Sequence, residues 1–208
     1  SKHVSILDIG CSYGINSAVL KFGESVTRWH LRLKRAGNEE QVALSDCQRF
    51  HPRLDQLPGV TVYGLDSSAR AIAYGSTVGL LAGGFSEDLE RELPSMALKD
   101  LHVDLVLCTG CIGYIGERTF SRLLSSNASA KLIFFTCLRA IDSKRIHECL
   151  ITLGYEVSKV HAGLRQRAID SVTERADAAI ANCWRSYRGR PYLVADAYVA
   201  IRSPRSRT

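Results

Sequence analysis

The chain opens with an apolar strand that runs directly into a glycine turn. Residues 4–9 read Val-Ser-Ile-Leu-Asp-Ile, which is typical of a buried β-strand, and Gly10-Cys11-Ser12-Tyr13-Gly14 follows at once. After the turn, apolar residues recur at helical spacing; they are Ile15, Ala18, Val19 and Phe22. The pattern therefore predicts a strand, a tight turn and an amphipathic helix.

Strand and helix patterns then alternate along the chain. Further strands are predicted at 62–66, near Gly84, and at 103–108, 131–136, 155–161 and 192–201. Ser67 or Ser68 and Asp142 or Ser143 are suited to cap helices. Residues 23–59 should form a long connection with two short helices, and 165–187 a helical, lid-like excursion. This alternation predicts an α/β fold built on a doubly wound, mostly parallel sheet.

Length and composition indicate one cytoplasmic domain. The chain has 208 residues, 46% of them hydrophobic, without an apolar run long enough to span a bilayer. Seven cysteines, an odd number, lie mostly inside apolar segments and indicate reduced, buried thiols. We expect a single domain over residues 1–202, followed by a disordered basic tail over 203–208.

The chain is basic, with 27 Lys and Arg against 21 Asp and Glu and a formal charge of +6. A positive charge favours weak, non-specific contact with phosphates. The excess positive charge is spread diffusely along the chain or lies in the tail. No run of basic residues is interleaved with stacking aromatic residues, as is found in proteins that bind single-stranded nucleic acids. Nucleic-acid binding is thus left open without being favoured.

The opening turn and the end of the second strand together predict a nucleoside-binding crevice. Gly10 and Gly14 allow the backbone to turn tightly and approach a ligand, and the following helix presents free N–H groups. Asp66, at a strand end, can accept hydrogen bonds from a ribose diol. A dinucleotide fingerprint requires G-x-G-x-x-G, and Ser12 and Ile15 occupy glycine positions in that register.

The stretch instead resembles motif I of class I S-adenosylmethionine (SAM) dependent methyltransferases, with Asp8, Gly10, Ser12 and Gly14 in the motif positions. The resemblance covers residues 4–202 and implies a Rossmann-like, doubly wound seven-stranded sheet, mostly parallel with the last strand antiparallel beside the fifth. It implies SAM as cofactor, with Asp8 near its ammonium group and Asp66 on its ribose. Residues 83–89 look like the element that meets adenine. The cofactor-binding residues so implied are Asp8, Gly10, Cys11, Ser12, Gly14, Asp66, Ser67, Glu87, Asp88 and Thr109.

Two further segments resemble a bacterial subgroup of such enzymes, which supports the same fold and cofactor. They are the run 109–118, Thr-Gly-Cys-Ile-Gly-Tyr-Ile-Gly-Glu-Arg, and the triplet Arg165-Gln166-Arg167. Ligands of open α/β sheets bind outside the carboxyl ends of strands. Three segments begin at those carboxyl ends: one after the fourth strand, one after the fifth strand and one after His161. We therefore expect the substrate side to include Tyr114, His161, Arg165 and Arg167.

Several chemistries are disfavoured. The Asp/Asn-Pro-Pro-aromatic element of exocyclic base-amine methylation is missing after the fourth strand, and Cys111 lacks the proline that commonly precedes a cytosine-C5 nucleophile. Cys108 and Cys111 have the spacing of a metal or redox pair, but no second ligand pair follows, so we expect no metal.

A small-molecule methyltransferase is the leading hypothesis, with O-, N- or C-methylation undecided. An RNA or protein methyltransferase, or a non-catalytic SAM-fold binding module, remains the alternative. The acceptor, any general base and the oligomeric state are left undetermined. A nicotinamide-dependent dehydrogenase is disfavoured by Ser12 and Ile15.

Overall fold

A computed structural model describes residues 3–26, 39–51, 57–126, 130–169 and 183–203. The strands are β1 Val4–Ile9, β2 Val60–Asp66, β3 Gly83–Ser86, β4 Leu105–Cys108, β5 Leu132–Leu138, β6 Tyr155–Ala168, β7 Trp184–Tyr187 and β8 Arg190–Arg202. The helices are α1 Ile15–Phe22, α2 Glu39–Phe50, α3 Ala69–Thr77, α4 Met96–Asp100, α5 Glu117–Ser126 and α6 Lys144–Thr152. In this part of the chain, no helix has the length and apolar character needed to cross a bilayer.

The chain divides into two compact units. The first unit comprises residues 1–88 and 101–106, and the second unit 89–100 and 107–208. In the first unit the strand order is β3-β2-β1 followed by the first half of β4, and β1 and β3 both pair in parallel with β2. In the second unit the second half of β4 is followed by β5-β8-β6, with β7 paired to β8.

The core of the first unit holds α1 against α2 and against the segment that follows α3. Its buried residues Ala18 and Phe22 pack with Phe50 of α2 and with Val78 and Leu80 after α3. The Phe22 and Phe50 rings are 4.8 Å apart between centroids. Burial of such side chains supplies roughly 1.5–3 kcal/mol each, which is the main force holding α1 and α2 in place.

In the second unit, β8 is the central antiparallel strand. It pairs with β5 on one side and with β6 on the other, as expected for a last strand inserted beside the fifth. Phe135 of β5 stacks on Tyr198 of β8 with 5.1 Å between ring centroids. The pairing of β6 with β8 is broken by three register shifts, at Lys159/His161, His161/Leu164 and Arg165/Arg167.

The prediction of a helical excursion over 165–187 is wrong at both ends. Residues 165–168 continue β6, and residues 184–187 form β7, so eight strands rather than seven lie within the described ranges. Arginine and alanine favour helices, but pairing with β8 satisfies the backbone of both segments and overrides that preference. Residues 170–182, in the middle of the excursion, lie outside the described residues, as does most of the predicted tail.

Other expectations are confirmed. Helix α3 begins after Ser68, whose hydroxyl accepts a hydrogen bond from the Ala71 N–H at 3.2 Å. Strand β3 is short and lies at the end of the described strand order. Of the two short helices predicted in 23–59, α2 is described, whereas 27–38 and 52–56 lie outside the described residues.

The packing around Gly64 of β2 generates a prediction about stability. A Cβ added there would lie 2.7 Å from Cys11 Sγ and 2.7 Å from Leu81 Cδ1. Gly64→Ala should therefore overpack the first unit and lower the free energy of unfolding by about 1–3 kcal/mol. Urea unfolding measures the change. Gly83→Ala is the matched control, because its nearest contact is an ordinary 3.4 Å to Tyr63, and equal loss in both variants would contradict the prediction.

Candidate functional site

The turn after β1 is held in an unusual backbone conformation. Gly10, Ser12 and Gly14 have φ angles of 65°, 51° and 83°. Glycine adopts such angles readily, whereas a serine with positive φ is uncommon and is often found at functional sites. The Gly10 N–H donates to the Leu65 carbonyl at 2.7 Å, which joins the turn to the end of β2.

Asp66, the last residue of β2, fixes this turn. One carboxylate oxygen accepts a hydrogen bond from the Ser12 N–H at 2.9 Å, and the other accepts from the Ser68 N–H at 2.9 Å. A carboxylate has about four acceptor positions, so two remain for a ligand. Asp66 is half-buried. The residue predicted to bind a ribose therefore also holds the turn that would lie against it.

Asp8 is completely buried below the turn. Its Oδ1 accepts a hydrogen bond from Asn16 Nδ2 at 2.8 Å, whereas its Oδ2 has no partner among the described residues. Burial raises the pKa of Asp8 from 3.8 to about 7; the Asn16 hydrogen bond opposes this, and the charge of Asp66 adds to it. An unpaired buried carboxylate oxygen is costly, and it fits a ligand that supplies a positive charge or a donor.

Gly14 allows α1 to begin close to the rest of the first unit. A Cβ at this position would lie 3.0 Å from the Cβ of Leu80, so the site has little room for a side chain. The Ser17 hydroxyl donates to the Leu80 carbonyl. The start of α1 is thereby held against the segment that leads into β3.

The first unit gathers most of the predicted cofactor residues around the ends of β1, β2 and β3. Cys11 is buried beside Gly64, and Ser67 is exposed after β2. Glu87 and Asp88 follow β3 and are half-buried, and the Glu87 N–H donates to the Asp66 carbonyl at 3.2 Å. Thr109 belongs to the second unit.

In the second unit, the turn after β4 is tightly constrained. The Gly110 N–H donates to the Thr136 hydroxyl oxygen at 3.1 Å, and Gly110 has a φ of 75°. The Cys108 and Cys111 sulfur atoms are 3.2 Å apart. Tyr114, which we expected on the substrate side, is 88% exposed.

Asp196 of β8 organises the neighbouring cations. It accepts hydrogen bonds from Lys159 Nζ at 2.7 Å, from the Gly163 N–H at 2.9 Å and from Arg139 Nε at 2.9 Å. Burial would raise the pKa of Asp196, but these three donors outweigh it and lower the pKa to about 2. The carboxylate thus fixes the irregular part of β6, including the exposed His161, against β8.

The strand that begins at Tyr155 was expected to end at His161, and this boundary is wrong. The strand continues to Ala168, so His161 lies within β6, exposed and opposite Ala197. Arg167 is also exposed, with its guanidinium 3.4 Å from the Ala168 carbonyl oxygen.

Arginine and tyrosine side chains converge on one surface of β6, β8 and β7. The Arg165 guanidinium lies 4.0 Å from the Tyr187 ring centroid and 5.1 Å from that of Tyr192. Pairing places Arg185 opposite Tyr192 and Arg190 opposite Tyr187, hence on the same side of the sheet. We call this surface the Arg–Tyr face; it comprises Arg165, Arg185, Tyr187, Arg188, Arg190 and Tyr192.

Sequence reasoning missed two site residues and this surface. Asn16 stands eight positions after Asp8, and a polar side chain in the first turn of the helix that follows the glycine turn was the available signal. Gln166 was noticed within its triplet but was assigned no role. The Arg–Tyr face was hidden because its members lie in two segments and because 165–187 was expected to be helical.

The buried carboxyl of Asp8 generates a prediction about pH. Because its pKa is raised in the folded chain, its contribution to stability is complete below about pH 4 and is lost as the pH rises through about 7. Relative to Asp8→Asn, the wild-type chain should lose up to roughly 4 kcal/mol of unfolding free energy over this window. Urea unfolding from pH 4 to 8 measures the difference. Asp142→Asn, at an exposed site, is the control, and parallel profiles for wild type and Asp8→Asn would contradict the prediction.

Comparison with solved structures places this arrangement in a known fold. A magnesium protoporphyrin IX methyltransferase from Synechocystis with bound SAM is 14% identical, with a TM-score of 0.50 over 97% of this chain and 71% of that one. A TehB-like SAM-dependent methyltransferase from Corynebacterium glutamicum is 16% identical, with a TM-score of 0.50 over 98% and 82%. A precorrin-6y C5,15-methyltransferase from Geobacter metallireducens is 12% identical, with a TM-score of 0.52 over 98% and 81%.

No protein-family model and no curated protein matches the chain. At 12–16% identity, the similarity to these solved structures concerns the fold. The chain has the Rossmann-like fold found in SAM-dependent methyltransferases, the class that its glycine turn resembles.

Proposed function

We propose that the chain is a SAM-dependent methyltransferase. The observation that carries the proposal is the buried Oδ2 of Asp8, which has no hydrogen-bond partner among the described residues and lies beneath a left-handed glycine turn. An ammonium group is the kind of ligand group that such an oxygen requires. The fold and the resemblance to motif I both support this choice over a diphosphate-bearing cofactor.

The residues of the first unit fit the parts of SAM. Asp8 would bind the ammonium group, and the free acceptor positions of Asp66 would bind the ribose hydroxyls. Glu87 or Asp88, after β3, would accept a hydrogen bond from the adenine amino group. Bound SAM supplies a methyl group activated by its sulfonium, so this chain has to hold and orient the two reactants.

For the acceptor, we propose a small molecule, with the O, N or C atom left open. The segment after β4 lacks the Asp/Asn-Pro-Pro-aromatic element that holds an exocyclic base amine. Orientation of the two reacting atoms supplies as much as ~7–11 kcal/mol in favourable reactions. A neutral hydroxyl, amine or carbon acceptor also has to lose a proton, and the group that takes this proton is left open.

RNA methylation is the second candidate, and the Arg–Tyr face favours it. Guanidinium groups bind phosphates through two parallel hydrogen bonds, and tyrosine and arginine planes stack on unpaired bases. Among the described residues of 164–169 and 183–195, five arginines occur and no acidic residue does. A non-catalytic module would bind SAM without transferring its methyl group to either class of acceptor.

The cofactor proposal is tested by binding of S-adenosylhomocysteine. At a hundred times its Kd, the compound should raise the unfolding free energy by ~2.7 kcal/mol, which a thermal shift detects, whereas NAD should have no effect. Asp66→Ala should weaken binding by about 1.5–3 kcal/mol, because a charge-assisted hydrogen bond is lost.

Asp142→Ala is the matched control. Asp142 Oδ1 accepts a hydrogen bond from the Lys144 N–H at 2.9 Å, which reproduces the local contact of Asp66 with Ser68. This variant should bind S-adenosylhomocysteine like wild type. Unchanged affinity in Asp66→Ala would remove Asp66 from the site, and no binding by wild type would overturn the proposed function.

The RNA candidate makes a separate prediction about salt. If the Arg–Tyr face binds RNA, affinity for a single-stranded oligonucleotide should fall steeply with salt, with a slope of about 0.7 per phosphate contact. The Arg165→Ala, Arg188→Ala double variant should flatten that slope, as measured by fluorescence anisotropy. The double variant Lys144→Ala, Arg145→Ala removes equal charge from exposed positions on α6 and should not. Equal effects of the two pairs would contradict an RNA site on this face.

A further inference from the structure

Two motifs that stand far apart in the sequence meet within the second unit. The first is the turn Thr109–Gly110 after β4, and the second is the triplet Arg165-Gln166-Arg167 of β6. A Cβ built on Gly110 would lie 2.5 Å from Gln166 Nε2. The Gln166 amide therefore lies directly against the Gly110 backbone, in the space that any side chain at position 110 would occupy.

An irregularity in the pairing of β6 orients the Gln166 amide toward Gly110. Arg165 pairs with Val194 and Arg167 pairs with Leu193, so Gln166 is the extra residue of a β-bulge. Bulges redirect a side chain and are over-represented next to active sites. Gln166 is half-buried, whereas Arg165 and Arg167 are exposed. The bulge thus directs the neutral side chain toward the end of β4 and leaves its charged neighbours at the surface.

The turn that receives the amide is itself fixed. The Gly110 N–H is bound to the Thr136 hydroxyl at 3.1 Å, and the Ile115 and Tyr114 N–H groups both donate to the Cys111 carbonyl. The carboxyl end of a strand in an open α/β sheet is where ligands bind. A carboxamide at this point offers two donors and one acceptor without a charge.

We infer that the Gln166 amide binds the methyl acceptor, through an uncharged polar group of the acceptor such as a hydroxyl, carbonyl or amide. This inference rests on the proposed methyltransferase function. It specifies a residue of the acceptor site and one chemical feature of the acceptor. Gln166 orients the acceptor and takes no proton in the reaction.

The test compares Gln166→Met with wild type, because methionine keeps the length and volume of the side chain and removes the amide. The probe is a metabolite extract, supplied with methyl-labelled SAM and fractionated by size to separate small products from RNA and protein. At limiting extract, Gln166→Met should transfer label about tenfold more slowly, as expected for the loss of a hydrogen bond, and should need more extract for half-maximal rate. Its affinity for S-adenosylhomocysteine should equal that of wild type.

Two further variants separate an acceptor role from a packing role. Gly110→Ala should show the same defect, because its Cβ would displace the amide. Gln48→Met, at an exposed position of α2, should behave as wild type. Wild-type rate and extract dependence in Gln166→Met would overturn this inference and leave the proposed function standing. Absence of labelled product, or of S-adenosylhomocysteine binding, in wild type would overturn both.

Discussion

The hydrogen bond from the Ser12 amide to the Asp66 carboxylate is the contact on which the candidate site depends. It holds a non-glycine residue at positive φ in a turn that would otherwise relax. The parallel register makes this contact available, because Ile9 pairs with Leu65 and so brings Asp66, the last residue of β2, beside the turn after β1. The carboxylate proposed to bind the ligand thereby also fixes the backbone of the turn.

Asp8 shows the opposite arrangement. Its carboxyl group is buried, half-satisfied by Asn16 and carries a raised pKa, so the folded chain holds it at a cost. Proteins retain such groups where a ligand completes them, and real sequences depart from packing rules chiefly at functional sites. Asp66 and Asp8 together therefore explain why the resemblance to motif I has a physical basis in this chain.

In the second unit, a different carboxylate determines how the surface of β6 is arranged. Asp196 binds Lys159, Arg139 and the Gly163 amide, and these bonds fix β6 where its pairing with β8 is irregular. Beyond that region, the bulge at Gln166 turns one neutral side chain toward Gly110. The arginines on either side remain exposed, and Arg165 joins the Arg–Tyr face. One strand thus places an uncharged amide against the turn after β4 and contributes an arginine to the basic surface.

The local sequence pattern was sufficient to predict the glycine turn and the elements next to it in the first unit. Helix α1 and the cap at Ser68 follow from spacing and cap chemistry, and the acid at the end of β2 could be identified because strand, turn and helix are contiguous there. The connection to a methyltransferase came from the same short segment. What the pattern could not predict was the burial of Asp8 or its partner Asn16, because both depend on how α1 lies on the sheet.

Non-local pairing decided the rest. Residues 165–168 have side chains that suit a helix, and their hydrogen bonds to β8, which comes later in the chain, make them part of a strand. Residues 184–187 become a strand through pairing with β8 as well. The sequence by itself determined the order of elements, the glycine turn and the acids at the strand ends, since these depend on neighbours in the chain. The tertiary structure alone decided the contact of Gln166 with Gly110 and the gathering of arginines around Tyr187. The residues in these contacts are far apart in the sequence and are brought together only by the pairing of strands in the sheet. Local propensity contains no information about such pairing.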